Sequence, residues 1–193
     1  EAPVAIGVVG GFGASIVEPG HVRHEGWELV RLGERSGPAT PRVEQVAEVW
    51  RDAGFRVQTY DDVGKLVWEK LVCNATFSGT CTVLETAIGD VLDDPDAWAV
   101  ASRCAVEAYE AGARTGVDFG FDDPVDYVRG FGSRIRAARP SMLLDYLAGR
   151  RCEVDFINGA IPPVAESVGL SAETNRTVAA LVRAKEGALL GSG

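Results

Sequence analysis

From Asp61 to Thr82 the chain reads DDVGKLVWEKLVCNATFSGTCT, and no other stretch leaves so few conformations open. Apolar residues recur at Val63, Leu66, Val67, Leu71 and Val72 with helical spacing, and Asp61 and Asp62 stand where an N-cap is needed. On such a helix Lys70, Asn74 and Ser78 fall at i, i+4 and i+8, one line along the surface between large apolar side chains. An ammonium one turn from a carboxamide makes a donor-rich edge suited to a carbonyl or carboxylate ligand. A solvated lysine whose stem covers apolar surface fits the same spacing. The rest of the chain has to separate the two.

Everything after residue 61 reads as helix. Asp94-Pro95 opens a long one through Thr115, with Trp98, Ala101, Cys104, Ala105, Ala108, Tyr109 and Gly112 on its buried side and Gly116 as the stop. Its many small residues permit close helix packing. Asp123-Pro124 opens another, with Val125, Tyr127, Val128, Phe131 and Ile135 as its apolar side. Pro140-Ser141 starts a short one, SMLLDYLAG, with Ser141 as a natural N-cap. Glu153 to Ala165 forms a further helical segment that Pro162-Pro163 should break or kink. Ser171 caps a last helix, AETNRTVAALVRAKEGAL.

Residues 1–60 differ in kind. Val4 to Val9 reads as a buried strand, and His21 to Gly33 alternates as an antiparallel strand after the Glu18-Pro19-Gly20 turn. Gly11-Phe12-Gly13 invites a dinucleotide-fingerprint reading. The third small position falls on Ile16 and a turn follows where a helix should begin, so Gly10, Gly11 and Gly13 read as bend or bulge glycines. His21 and His24 read as solvated. Thr40 caps a helix with Pro41 at its first position, Val43, Val46, Ala47 and Trp50 as its stripe and Gly54 as its end; Phe55 to Tyr60 is a short strand. Two or three strands and one helix make the closing portion of an α/β domain. The first residue, Glu1, is not methionine and leads straight into a strand, so the expectation is a piece of a longer protein.

Composition narrows the function. Net charge is −9, and lysine occurs only at positions 65, 70 and 185, so no basic run exists for nucleic acid or an anionic membrane surface. No apolar run is long enough to span a bilayer, and no signal peptide is visible. Cys73, Cys81, Cys104 and Cys152 lack any metal-binding spacing and sit in apolar patterns, which suggests reduced thiols in the cytoplasm and no metal.

Three polar constellations stand in the helical part. They are Lys70/Asn74/Ser78, then Ser141 with Asp145 one turn later, then Cys152-Glu153-Val154-Asp155-Phe156-Ile157-Asn158-Gly159. Ser141 is equally readable as a cap, and Glu153 as a carboxylate complementing the positive end of its helix. Taken in order, W-x-K-L-x-x-N, S-M-x-x-D and, twelve residues after the serine, E-x-D-x-I-N-G resemble the C-terminal half of the ketopantoate reductase (2-dehydropantoate 2-reductase) family, from Trp68 to about Glu186. Residues 1–60 are similar, more loosely, to the end of that family's nucleotide-binding domain.

The resemblance implies a mostly α chain. Residues 61–193 would form an all-α domain like the C-terminal domain of 6-phosphogluconate dehydrogenase, preceded in 1–60 by the partial end of an α/β Rossmann domain. It implies an NADPH-dependent oxidoreductase that reduces 2-dehydropantoate to pantoate, on the way to pantothenate and coenzyme A. Lys70 would be the general acid, and Glu153 its acidic partner near the substrate hydroxyl and the nicotinamide ribose. Asn74, Ser78, Ser141 and Asp145 would bind the substrate, Asn74 and Ser141 at its hydroxyl or carboxylate. Two positions depart from the family pattern: Ser78 stands where an asparagine is usual, and Ile88 replaces a substrate-facing asparagine. A pocket without those contacts suits another branched 2-oxo acid, because unfilled hydrogen-bonding sites shift discrimination strongly. With no GxGxxG turn, the expectation is that this polypeptide alone is catalytically inert. Its sheet edge leaves a homodimer open. A third reading is a non-catalytic helical binding or dimerisation module whose polar residues are only caps.

Overall fold

The computed structural model describes residues 5–9, 14–24, 29–35 and 37–191. The chain divides into two compact units, Glu1–Val67 and Trp68–Gly193.

Among the described residues, the first unit is built on five strands and one helix, ahead of the start of a second. Strand β1 (Ala5–Val9) pairs antiparallel with β4 (Val30–Glu34), and β4 pairs parallel with β5 (Val57–Thr59), giving a sheet of order β1-β4-β5. The parallel pair needs a crossover, and α1 (Pro41–Asp52) supplies it. Val43 and Ala47 of α1 are fully buried against Val30 and Leu32 of β4. Strands β2 (Ala14–Glu18) and β3 (His21–His24) form a separate hairpin closed at Pro19-Gly20, with Gly20 at φ +84°. A strand at Ala14–Glu18 is incompatible with the helix a dinucleotide fingerprint requires there. Gly10, Gly11 and Gly13 lie outside the described residues, as does the side chain of His24; His21 is exposed beside Glu18.

Two expectations for this unit need correction. Five strands among the described residues replace the two or three expected, because the His21–Gly33 run is divided between two different sheets and Ala14–Glu18 adds a strand to pair with its first part. Thr40 occupies the N-cap of α1 without capping it: its hydroxyl donates to Glu34 at the end of β4, and Arg42 reaches the same carboxylate. Thr40 thus ties helix to strand, and Glu34 is held below the usual carboxylate range chiefly by that hydroxyl.

The second unit is helical. Its elements are α2 (Val63–Leu84, beginning in the first unit), α3 (Ile88–Asp93), α4 (Pro95–Arg114), α5 (Pro124–Arg134), α6 (Ser141–Leu147), α7 (Ile161–Ser167) and α8 (Glu173–Leu190). Three aspartates cap as their spacing predicts. Asp62 accepts from Lys65 N–H, Asp94 from Asp96 and Ala97 N–H, and Asp123 from Val125 and Asp126 N–H. Asp61 instead accepts from Ala39 N–H ahead of α1. The small side of α4 (Ala101, Cys104, Ala105, Ala108, Ala111) is fully buried. At Gly112 even a methyl group would lie 2.8 Å from Phe119 and 2.9 Å from Trp68.

Four expectations fail here, and one helix appears that was not expected. Helix α3 carries no sequence signal; it exists because the Ile88 and Gly89 N–H groups donate to Ala138 and Arg136 carbonyls while Asp90 closes back onto Ala87 N–H. Ser141 does not cap α6: Pro140 occupies the N-cap and Ser141 is the exposed first helical residue. Glu153–Ala165 is not one helix but two 3-10 turns (Val154–Phe156 and Asn158–Ala160) followed by α7, with the change of direction at Ile157 (ψ −96°). Pro162 and Pro163 do not break α7; they lie in its first turn, where a backbone N–H would lack a helical partner anyway. Ser171 does not cap α8 either, since its hydroxyl donates to Glu173 and Ala172 holds the N-cap. The cap arrives from another helix. Glu107 of α4, 3% exposed, accepts from the N–H groups of Thr174 (3.1 Å) and Asn175 (2.9 Å).

Candidate active site

Helix α2 has no solvated stripe along its second half. Between Val72 and Thr82 every residue is buried except Asn74, which is half-buried. Thr76 and Thr82 satisfy their hydroxyls on the carbonyls one turn back, Val72 and Ser78, at 2.7 Å each. The line Lys70–Asn74–Ser78 therefore runs from solvent into the core: Lys70 exposed, Asn74 at the boundary, Ser78 5% exposed. Among the described residues nothing hydrogen-bonds the Asn74 carboxamide. A half-buried amide without a protein partner is a position where a ligand would be welcome.

The segment carrying Glu153 is strapped onto α8 and α2 together. Cys152 N–H donates to Glu186, and Arg183 Nε to Asp155 at 2.7 Å, both on α8. Asn158, fully buried, donates through Nδ2 to the Ala75 carbonyl of α2 (2.8 Å) and to Asn175 Oδ1 of α8 (2.9 Å). Asn175 in turn donates to Glu107 (2.9 Å) and the Cys104 carbonyl (3.1 Å) of α4. Gly79 of α2 leaves the space Asn158 fills, since a methyl there would come within 2.5 Å of Asn158 Oδ1. The chain Ala75–Asn158–Asn175–Glu107 joins four elements. Sequence reasoning registered Asn158 only as part of a motif and missed Asn175 and Glu107. Their signal is three amide or acid groups on otherwise apolar faces, with partners far apart along the chain.

Glu153 itself sits at the start of the first 3-10 turn, exposed, its carboxylate with no hydrogen-bond or ion-pair partner among the described residues. It is free to accept from a hydroxyl such as that of a ribose, so this chain's chemistry fits a nucleotide sugar at that point. Helix α6 joins through Cys152, whose thiol donates to the Met142 carbonyl at 3.6 Å. Ser141 is exposed on α6, while Asp145 is committed to a fork from Arg150 (Nε 2.9 Å, Nη2 2.6 Å). Ile88 belongs to the hydrophobic core, 3% exposed. The structure thus leaves Asn74, Glu153 and Ser141 open to a ligand, whereas Ser78 is enclosed and Asp145 occupied.

The thiols offer no nucleophile. Burial pushes Cys73 and Cys81 up to about 12 and raises Cys104 as well; Cys152 is pushed up to about 11, first by burial and then by Glu186. A cavity of about 580 Å³ opens beside the end of α2, walled by Val83, Leu84, Val178 and Leu181, and none of the six predicted site residues lines it.

The family model described as "Ketopantoate reductase PanE/ApbA C terminal" matches residues 62–186. The chain belongs to the ketopantoate reductase family. The 2-dehydropantoate 2-reductase of Archaeoglobus fulgidus is 36% identical over 184 residues, which is 95% of this chain and 62% of that protein. That of Pyrococcus horikoshii is 30% identical, covering 94% and 60%. The crystal structure of a PanE/ApbA family ketopantoate reductase from Ralstonia eutropha superposes with a TM-score of 0.85 at 27% identity, over 96% of this chain and 60% of that one. The chain therefore spans about three fifths of the length of the family members it matches. In this chain the α-helical part matched by the family model follows an α/β part.

Proposed function

We propose that this chain is the substrate-closing portion of an NADPH-dependent reductase that converts 2-dehydropantoate to pantoate. The observation that supports it best is Asn74, the single window in the buried half of α2, unpartnered among the described residues and one turn from Lys70. A cap-only helical module, the third reading, gives no reason for a half-buried amide left empty.

Reduction of a ketone builds negative charge on its oxygen. Lys70, placed at the exposed end of the line, stabilises that alkoxide and delivers its proton. Asn74 donates its amide N–H to the substrate and fixes the carbonyl within reach of the ammonium. Ser141 contributes a hydroxyl to the substrate's polar end, and Glu153 accepts from the substrate hydroxyl and the ribose. A bound reduced nicotinamide supplies the hydride. Ser78 and Asp145 bound the site rather than touch substrate.

Replacing Lys70 with Ala in the full-length protein should lower kcat by about 10²–10⁴-fold, the usual worth of a general acid. Unchanged turnover would remove lysine from the chemistry. The second reading is a reductase of another branched 2-oxo acid, favoured by Ser78 and by Ile88, whose side chain belongs to the core instead of offering an amide. Assaying ketopantoate beside other branched 2-oxo acids decides between the two by the ratio of their kcat/KM values.

A further inference from the structure

We propose that Asn158 is a positioning residue for this reaction: clamped between α2 and α8, its carboxamide seats the Glu153 segment on the helix that carries Lys70 and Asn74. The inference rests on the functional reading above and adds a residue to it. Cys152 and Asp155 fasten the segment to α8, and Asn158 carries it across to α2, at the carbonyl of Ala75, the neighbour of Asn74. Both Nδ2 protons are used, one on each helix, which fixes the plane of the amide. Among the described residues its Oδ1 is buried without a partner, and it faces Gly79. Leaving that acceptor unsatisfied is costly. A segment needed only to fill the core would be served by an apolar side chain of the same shape. What the amide adds is register: the segment cannot slide along α2 without losing both bonds.

The distance between an acid on one element and an amine on another is then set by a residue that touches neither reactant. Errors of about 1 Å in such a spacing cost up to about 10²-fold in rate. The test is Asn158→Ser in the full-length protein, with Val182→Ala, a fully buried site on α8 outside the clamp, as a control of comparable destabilisation. Turnover is measured per folded molecule at a temperature well below both melting points. We expect kcat on the best 2-oxo acid to fall about 10- to 100-fold for Asn158→Ser with the KM for NADPH within threefold, while Val182→Ala keeps wild-type kcat. Equal kcat in the two variants overturns the proposal. If Asn158→Ser does not accumulate as folded protein, Asn175→Ser, which removes one of the two acceptors, is read the same way.

Hydrogen exchange supplies a second readout that needs no substrate. Amides of residues 154–160 should lose protection in Asn158→Ser while those of α4 keep theirs, and unchanged protection would also overturn the clamp. A wild-type protein inactive on every 2-oxo acid sinks the functional reading by itself; the clamp is then judged on exchange alone.

Discussion

Removing the Glu107 carboxylate is the sharpest test of how this fold is held. Glu107 is 3% exposed and accepts three hydrogen bonds, from Thr174 N–H, Asn175 N–H and Asn175 Nδ2. Glu107→Ala would take away the cap of α8, worth about 1 kcal/mol. It would also strand two donors of Asn175, a residue with no exposed surface, at about 1–3 kcal/mol each. Loss of the partly exposed Arg103 pair, at 3.5 Å, adds little. Relief from burying a charge offsets part of the cost, so the net loss should be about 3–5 kcal/mol, the range seen when one member of a buried pair is removed. Urea unfolding followed by far-ultraviolet circular dichroism reads this as a midpoint lowered by about 1–3 M, given a slope of about 1–3 kcal/mol per M. Glu107→Gln keeps one acceptor oxygen and should fall between wild type and Ala. Ser171→Ala, at the position that looks like the cap in the sequence, should cost under about 0.5 kcal/mol. A loss below about 1 kcal/mol for Glu107→Ala, or a larger one for Ser171→Ala, would refute the long-range cap.

Two further outcomes follow from packing and titration. Gly112→Ala should cost about 1–3 kcal/mol, because its methyl would press on Phe119 and Trp68; a neutral melting temperature would show slack the contact distances deny. Stability should also fall at alkaline pH. The Cys73 and Cys81 thiols stay protonated to about 12 in the folded state, whereas unfolded thiols titrate near about 8.5. Between those values the folded state holds protons the unfolded state has lost. The stability is therefore whole below about pH 8.5 and declines as pH rises towards 12, by up to ~1.4 kcal/mol per pH unit for each thiol. Equilibrium unfolding at pH 8 and pH 10.5 checks it, with Cys73→Ala expected to flatten the slope; an equal slope in that variant would show that the thiol is not its source.

What could be read from the sequence was local. Asp62, Asp94-Pro95 and Asp123-Pro124 carry both the stop of the preceding chain and the start of a helix within a few residues, and all three helices begin there. The line Lys70–Asn74–Ser78 followed from helical spacing alone. Its burial gradient did not, because that depends on which elements press against α2. Ser141, Ser171 and Thr40 have the right residue type at the right place and still do not cap; the Thr40 and Ser171 hydroxyls are turned to carboxylates, Glu34 and Glu173, to which they donate. Helix α8 is capped from Glu107, 67 positions before Thr174, a pairing that no window of local sequence contains. Pro162 and Pro163 misled for a related reason. Proline marks a place where a helix cannot continue from before, which is equally the place where one can begin.

The unbroken small face of α4 sets a limit on how this protein can be improved. Ala101, Ala105, Ala108 and Ala111 have no solvent-exposed surface and Gly112 has no room for even one carbon, so the centre of the helical unit leaves little volume to be filled by larger side chains. Heat tolerance in a homologue of this protein would have to be won at the periphery, through loop shortening or networks of ions, while its middle kept the same sparse composition.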